Sequence, residues 1–229
     1  MSRNICIIPA RGGSKRVPKK NRINFHGKPL LAYTIEAAID SKLFGDNIYV
    51  SSDSEDILAI ARTYSRRGVK ALRRPAEISG DDATLEDAAL HLLRSIPGSF
   101  DTLCLLMPNF PLRNAKDVKG SYEAFIRSGA ALLMTVTDYH WLNPFWAMSE
   151  KKGRIGFFFG KKYVVDSKKL PKVYAQADAV RFVKLSFFLR NKTFFGKDTA
   201  KYEIPFERSI EIDDPSDVEL AEKLFNIAQ

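Results

Sequence analysis

Ile8-Pro9-Ala10-Arg11-Gly12-Gly13-Ser14-Lys15-Arg16-Val17-Pro18-Lys19-Lys20-Asn21 follows directly on a short apolar run, Asn4 to Ile8. The run reads as a strand and the glycine pair as the loop that leaves it. Gly12 and Gly13 permit a tight turn whose backbone N–H groups approach phosphate closely. Arg11 can grip phosphate oxygens through two donors, and Lys15 adds a mobile point charge. In open α/β sheets, ligands sit beyond the carboxyl ends of the strands, where this loop falls. The dinucleotide fingerprint G-x-G-x-x-G is absent, and so is the Gly-Lys-Ser/Thr of a Walker loop. A plain surface turn has no need of so many cations beside paired glycines, so the loop reads as a phosphate site.

Outward from that loop, strands alternate with helices. Pro29 to Ser41 places Leu30, Leu31, Thr34, Ile35 and Ala38 on one side of a helix. Ile48 to Val50 is a strand that ends in Ser51-Ser52-Asp53, and Ser54 is placed to cap the next helix, with Ile57, Leu58 and Ala61 inward. Val69 to Leu72 is a third strand. Thr84 and Asp87 have capping-box spacing ahead of Leu85, Ala88, Ala89 and Leu92. Thr102 to Met107 is nearly all apolar, as in a sheet covered on both faces. A loop and helix over 111–128 and a strand over 130–136 follow. This order predicts the α/β class, a mostly parallel sheet in three layers.

From Asp138 to Phe195 the alternation is lost, and Trp141, Phe145, Trp146, Phe157, Phe158 and Phe159 crowd together. We expect an aromatic-rich insertion, 138–195, serving as a dimer arm with part of a substrate pocket, within a single domain of residues 1–229. Asp214 and Pro215 open a last helix with Val218, Ala221, Leu224 and Phe225 inward.

Composition removes several classes. The chain has 229 residues, 45% of them hydrophobic, enough for a core. No apolar run approaches the ~20 residues of a membrane helix. Met1-Ser2-Arg3-Asn4 shows no signal-peptide pattern, so a cytoplasmic location is expected. Cys6 and Cys104 lie in apolar runs and read as buried thiols. His26, His91 and His140 have no metal-ligand spacing. The net charge of +9 suits an anionic ligand, yet basic pairs such as Arg66-Arg67 and Lys161-Lys162 are scattered. No recognition helix, zinc finger or aromatic RNA motif accompanies them, so neither nucleic acid nor membrane is an expected partner.

The opening stretch resembles the motif of the acylneuraminate cytidylyltransferases, the CMP-sialic acid synthetase family that includes relatives acting on pseudaminic and legionaminic acid. Further stretches agree in order: Gly27-Lys28-Pro29-Leu30, Val50-Ser51-Ser52-Asp53, Arg74-Pro75-Ala76-Glu77, Leu105 through Arg113, and Ser209-Ile210-Glu211-Ile212-Asp213. The resemblance implies a three-layer αβα Rossmann-like nucleotidyltransferase fold with a small dimerisation insertion. It implies a reaction too: the anomeric oxygen of an acidic nine-carbon sugar attacks the α-phosphorus of CTP, giving CMP-sugar and pyrophosphate. By resemblance, Arg11, Gly12, Gly13, Ser14 and Lys15 contact the triphosphate. Lys20 and Asn21 lie by the nucleotide, Arg74, Ala83 and Thr84 border cytosine and ribose, and Glu211 and Asp213 hold Mg²⁺. Arg11, Lys15 and Asp213 are the residues expected to carry catalysis, and a homodimer is the expected assembly.

Departures cluster on the sugar side. Met107 stands where the family has glutamine, Asn109-Phe110 where it has Thr-Ser, and Glu211 where it has aspartate. Leu170-Pro171-Lys172-Val173-Tyr174-Ala175 replaces a segment whose arginine holds the sugar carboxylate. Met107, Phe110, Arg113 and Arg181 are therefore the expected sugar-pocket residues, with Arg181 or Lys172 as the substitute carboxylate partner. Two other readings stay open at this point: a ketodeoxyoctonate-type or other sugar-acid cytidylyltransferase, and a nucleotide-binding homologue without turnover that serves as an interaction subunit.

Overall fold

The computed structural model describes residues 3–228; Met1 and Ser2, read above as part of a start without a leader, lie outside the described residues. In chain order the strands are β1 (Asn4–Pro9), β2 (Asn24–Phe25), β3 (Lys28–Pro29), β4 (Ile48–Ser52), β5 (Val69–Arg73), β6 (Thr102–Leu106), β7 (Leu132–Asp138), β8 (Met148–Lys151), β9 (Arg154–Phe157), β10 (Tyr174–Lys184) and β11 (Thr199–Glu203). The helices are α1 (Leu30–Asp40), α2 (Glu55–Thr63), α3 (Leu85–Ser95), α4 (Ala115–Ser128), α5 (Leu185–Asn191) and α6 (Pro215–Ala228).

One seven-stranded sheet runs in the order β11-β7-β10-β6-β1-β4-β5. β10 pairs antiparallel with both neighbours, and the other pairings are parallel. Strand alternation feeds two cores. Cys6 and Ile8 of β1, with Cys104 and Leu106 of β6, meet Leu31, Ile35, Ile57, Val118 and Phe125 from α1, α2 and α4. Ile5, Ile7, Leu103 and Leu105 meet Ala88, Leu92 and Phe188 from α3 and α5. Both faces are thus covered, which explains the unbroken apolar runs. Each fully buried Leu or Ile contributes roughly 1.5–3 kcal/mol. α6 closes a third cluster, with Ala221 beside Phe25, Leu30 and Tyr33.

The caps are specific. Thr84 and Asp87 form the expected capping box on α3, and Asn114 with Asp117 forms a second on α4. Ser54 stands at the start of α2 but makes no side-chain cap bond. Asp214 is likewise not the acceptor expected: its Oδ2 is taken by Arg16, and Asp217 instead accepts from the backbone N–H groups of Asp213 and Asp214.

The region 138–195 divides. Tyr174–Lys184 is a central strand of the sheet, not part of a protruding insertion. What projects is the stretch between β7 and β10, a β8–β9 hairpin that turns through Lys152 (φ 51) and Gly153 (φ 73), as a two-residue hairpin loop demands. Phe145 stacks on Tyr163 at 4.7 Å, and Trp146 Nε1 donates to the Tyr163 carbonyl at 2.9 Å. Trp141, Ile155 and Phe158 remain exposed, at 75%, 70% and 65%.

Candidate active site

The strand order reverses at β1, which has β4 on one side and β6 on the other. That switch point opens a crevice beyond the carboxyl ends of these strands. The loops after β1 and β6 form two of its walls, and a cleft of about 270 Å³ lies there. Of the residues expected from sequence, Arg11, Lys20, Asn21, Arg74, Ala83, Thr84 and Met107 line it together.

The first loop is tied at its base and along its side. Asn21 Nδ2 donates to the Arg11 carbonyl at 3.0 Å, and Gly12 N–H donates to Asp53 Oδ1 at 2.9 Å. This gives the Ser51-Ser52-Asp53 end of β4 its job. A Cβ at Gly12 would stand 2.8 Å from Ser54 Cβ, so close approach, not a left-handed backbone, requires glycine there. Gly13 has open space around it, and Ser14 N–H turns back to the Gly12 carbonyl at 3.2 Å. Arg11 lines the cleft and Lys15 stands just outside its lining, and Asp81, which also lines it, meets both: Arg11 Nη1 lies 3.1 Å from Oδ1 and Lys15 Nζ 2.5 Å from Oδ2. The Lys15 ammonium, followed by Arg11, holds the Asp81 carboxyl below its ordinary value.

Glu211 and Asp213 do not line the cleft themselves; they sit behind two residues that do, Asn109 and Lys20. Lys20 Nζ donates to the Ile212 carbonyl at 2.7 Å and to Asp213 Oδ1 at 2.9 Å, while Arg16 Nη2 lies 2.8 Å from Asp213 Oδ2. Partial burial works against ionisation of Asp213, but Lys20 and then Arg16 outweigh it and hold its carboxyl below the usual range. Glu211 behaves oppositely. Burial pushes its carboxyl up, Asn109 opposes this, and the nearby charges of Asp213 and Asp178 add to it. Asn109 Nδ2 donates to Glu211 Oε1 at 2.9 Å, and the Asn109 carbonyl accepts from Ile212 N–H at 2.8 Å. Asn109 Oδ1 and Asn21 Oδ1 are buried with no partner among the described residues. Arg74, also buried, has its guanidinium pKa lowered by that burial, and its Nε is unpartnered. A cleft with buried acceptors, a buried cation and two mobile cations at its mouth is built for a polyanion that also presents hydrogen-bond donors.

Three expected sugar-pocket residues do not face this cleft. Phe110 is in the core. Arg113 is 1% exposed beneath the same loop, donating to Thr34 Oγ1 at 2.7 Å and to the Met107 carbonyl at 3.1 Å. Burial pushes its pKa down to about 10. Arg181 is buried in the sheet, clasped by Asp178 at 2.8 and 2.5 Å with the Phe195 ring 4.3 Å away. Met107, Pro108 and Asn109 line the cleft, but Phe110 and Arg113 turn inward just after them, and Arg181 lies on a strand whose neighbours Val180 and Phe182 are core residues. Sequence reasoning passed over Asp81, Arg16 and Asp178. These acquire partners only across long sequence separations or a bulged strand, so even Arg16, inside the opening motif, showed no partner in the sequence.

Comparison with known proteins agrees with this geometry. A family model described as cytidylyltransferase matches residues 5–229. The pseudaminic acid cytidylyltransferase of Campylobacter jejuni subsp. jejuni serotype O:23/36 (strain 81-176) is 35% identical, over 98% of this chain and 97% of its own length. The N-acylneuraminate cytidylyltransferase of Escherichia coli O18:K1:H7 (strain RS218 / NMEC) is 32% identical over 95% of this chain but 51% of its own, longer length. A solved CMP:2-keto-3-deoxy-manno-octonic acid synthetase complexed with CTP superposes with a TM-score of 0.73 over the whole of both chains, and at 14% identity it speaks for the fold alone. With the motifs in order, the cleft at the switch point and these likenesses over nearly its full length, the chain belongs to the cytidylyltransferase family and is a nucleotidyltransferase.

Proposed function

We propose that the enzyme transfers CMP from CTP to the anomeric oxygen of a nonulosonic acid and releases pyrophosphate. The observation that carries this reading is the cleft lined by Arg11, Arg74 and the unpartnered amide oxygens of Asn21 and Asn109, with Lys15 held beside it on the lining residue Asp81. The names of the relatives support the sugar class. In this reading Arg11 and Lys15 bind the triphosphate and stabilise charge gathering on the departing pyrophosphate, each contact contributing about 1.5–3 kcal/mol. Arg74, Ala83 and Thr84 seat cytosine and ribose. Asn21 holds the loop base, so the α-phosphate meets its nucleophile in a fixed geometry.

Mg²⁺ fits the donor set. Glu211 and Asp213 offer hard oxygens, and the buried, unpartnered Asn109 Oδ1 lies beside Glu211. When bound there, the ion would draw charge from the phosphate oxygens. Lys20 and Arg16 neutralise Asp213 otherwise, and Lys20 keeps that carboxylate oriented.

We also assign the arm between β7 and β10 to a homodimer contact, on the strength of its exposed Trp141, Ile155 and Phe158. Two buried free thiols suit a cytoplasmic setting. On the sugar side, Met107 lines the cleft and cannot donate a hydrogen bond, which favours a deoxygenated acid such as a diacetamido-trideoxy nonulosonic acid.

CTP-dependent pyrophosphate release, measured against a panel of nonulosonic acids and ketodeoxyoctonate, tests this reading. We expect the highest kcat/KM with a diacetamido-trideoxy acid. A value for N-acetylneuraminic acid equal to or above every deoxygenated relative overturns the sugar preference, and no release with any acid overturns the reaction.

A further inference from the structure

The two mobile cations of the phosphate loop are already engaged. Asp81 places one carboxylate oxygen on each, Oδ1 on Arg11 at 3.1 Å and Oδ2 on Lys15 at 2.5 Å. This is a two-point grip on a planar oxyanion, the same contact these side chains would make with a phosphate group. Asp81 lines the cleft and lies two and three residues ahead of Ala83 and Thr84, which line it too. The side chains are 45%, 77% and 55% exposed for Arg11, Lys15 and Asp81, so the pairs add little to folding stability. Adjacent Asp82 makes no ion pair among the described residues, so the pairing is particular to one of two neighbouring carboxylates.

We infer that Asp81 is a built-in counter-ion that competes with the nucleotide triphosphate, and afterwards with pyrophosphate, for Arg11 and Lys15, and so hastens pyrophosphate release. The inference rests on the assignment of the triphosphate to this loop. A carboxylate brings one negative charge, whereas the triphosphate and pyrophosphate bring several, so the polyanion displaces Asp81 on entry. When the product departs, Asp81 regains both cations without waiting for solvent ions to arrive. Every polyanion that needs Arg11 and Lys15 is thereby weakened by a common factor, and a ligand that does not touch them is not weakened.

The test uses calorimetric titration of the full chain with inorganic tripolyphosphate, pyrophosphate and cytidine at low ionic strength, on wild type, Asp81→Asn and Asp82→Asn. Asp81→Asn should bind both polyphosphates roughly 3–10-fold more tightly, with cytidine affinity unchanged. Pyrophosphate should inhibit the variant at correspondingly lower concentration. Asp82→Asn removes the same net charge one residue away and should change polyphosphate affinity less than twofold. Equal tightening by both variants would assign the effect to bulk charge and overturn the inference. So would unchanged or weaker polyphosphate binding in Asp81→Asn while wild type binds normally. Absence of tripolyphosphate binding in wild type takes down the phosphate-loop assignment along with it.

Discussion

Arg208 closes two guanidinium nitrogens on the carboxylate of Asp117, Nε at 2.9 Å from Oδ2 and Nη2 at 3.0 Å from Oδ1. Asp117 is 1% exposed and also accepts from the Asn114 backbone as the third residue of the α4 capping box. Arg208 stands immediately before the segment that bears Glu211 and Asp213. One buried carboxylate thus joins the start of α4 to the root of the segment that bears the two carboxylates, Arg208 lying 91 residues from Asp117 in sequence.

Asp117→Ala should therefore be among the costliest single changes outside the cleft. It leaves a half-buried guanidinium without its partner and removes a cap, a loss of about 3–5 kcal/mol. Urea unfolding checks this. A change below about 1 kcal/mol would mean that the pair holds nothing together.

Lys15→Ala should slow turnover or weaken CTP binding by roughly tenfold or more, because a charge-assisted contact contributes about 1.5–3 kcal/mol. Thermal stability should be unchanged, since Lys15 is exposed and, among the described residues, pairs only with Asp81. Steady-state kinetics at several CTP concentrations separates the two effects, and wild-type values in the variant would remove Lys15 from the site.

Asp213→Ala should abolish turnover at saturating Mg²⁺ while leaving the fold nearly intact. Its partners Lys20 and Arg16 retain other contacts, to the Ile212 carbonyl and to Asp214 respectively. Activity within a fewfold of wild type, with Mg²⁺ titrated across the millimolar range, would deny the carboxylate its role.

The Thr84–Asp87 box gives a pH signature. Hydrogen bonds from the Thr84 backbone and hydroxyl hold the Asp87 carboxyl below its ordinary 3.8. The folded state therefore favours the ionised form. The stabilisation is full above the unfolded value and is lost as pH falls through the lower native one. Thr84→Ala should cost about 1 kcal/mol at neutral pH, or roughly 2–4 °C in Tm for a chain of this size. That gap should narrow below about pH 4. A gap independent of pH would place the cap energy elsewhere.

Light scattering should give the mass of two 25.9 kDa chains. Ile155→Asp with Phe158→Asp should give one, because charge on an apolar contact is expensive to bury. A monomeric wild type at all working concentrations ends the dimer assignment.

The alternation of strands and helices was legible because each βα unit buries a continuous apolar strand against a helix with its own start signal. β10 was not. It enters the sheet antiparallel, and its register shifts between Gln176 and Arg181, so its buried residues, among them Ala177, Val180 and Phe182, do not keep a period of two. Part of the cleft lining was legible from one local motif, since Arg11, Lys20 and Asn21 fall in a single short stretch. The wall after β6 was less so, because a motif gives the order of Met107, Phe110 and Arg113 but not which of them lines the cleft. Asp81 was invisible, being 66 and 70 residues from the cations it meets.

The register of β1 and β6 sets Cys6 opposite Cys104 at the middle of the sheet, both free and both 0% exposed. Burial pushes the Cys104 thiol well up, so little thiolate forms in the native state. An alkylating reagent can therefore read them only when the central strands part. With no other cysteine in the chain, the rate of thiol labelling is a clock for opening of the core, and it runs without an added probe or engineered residue.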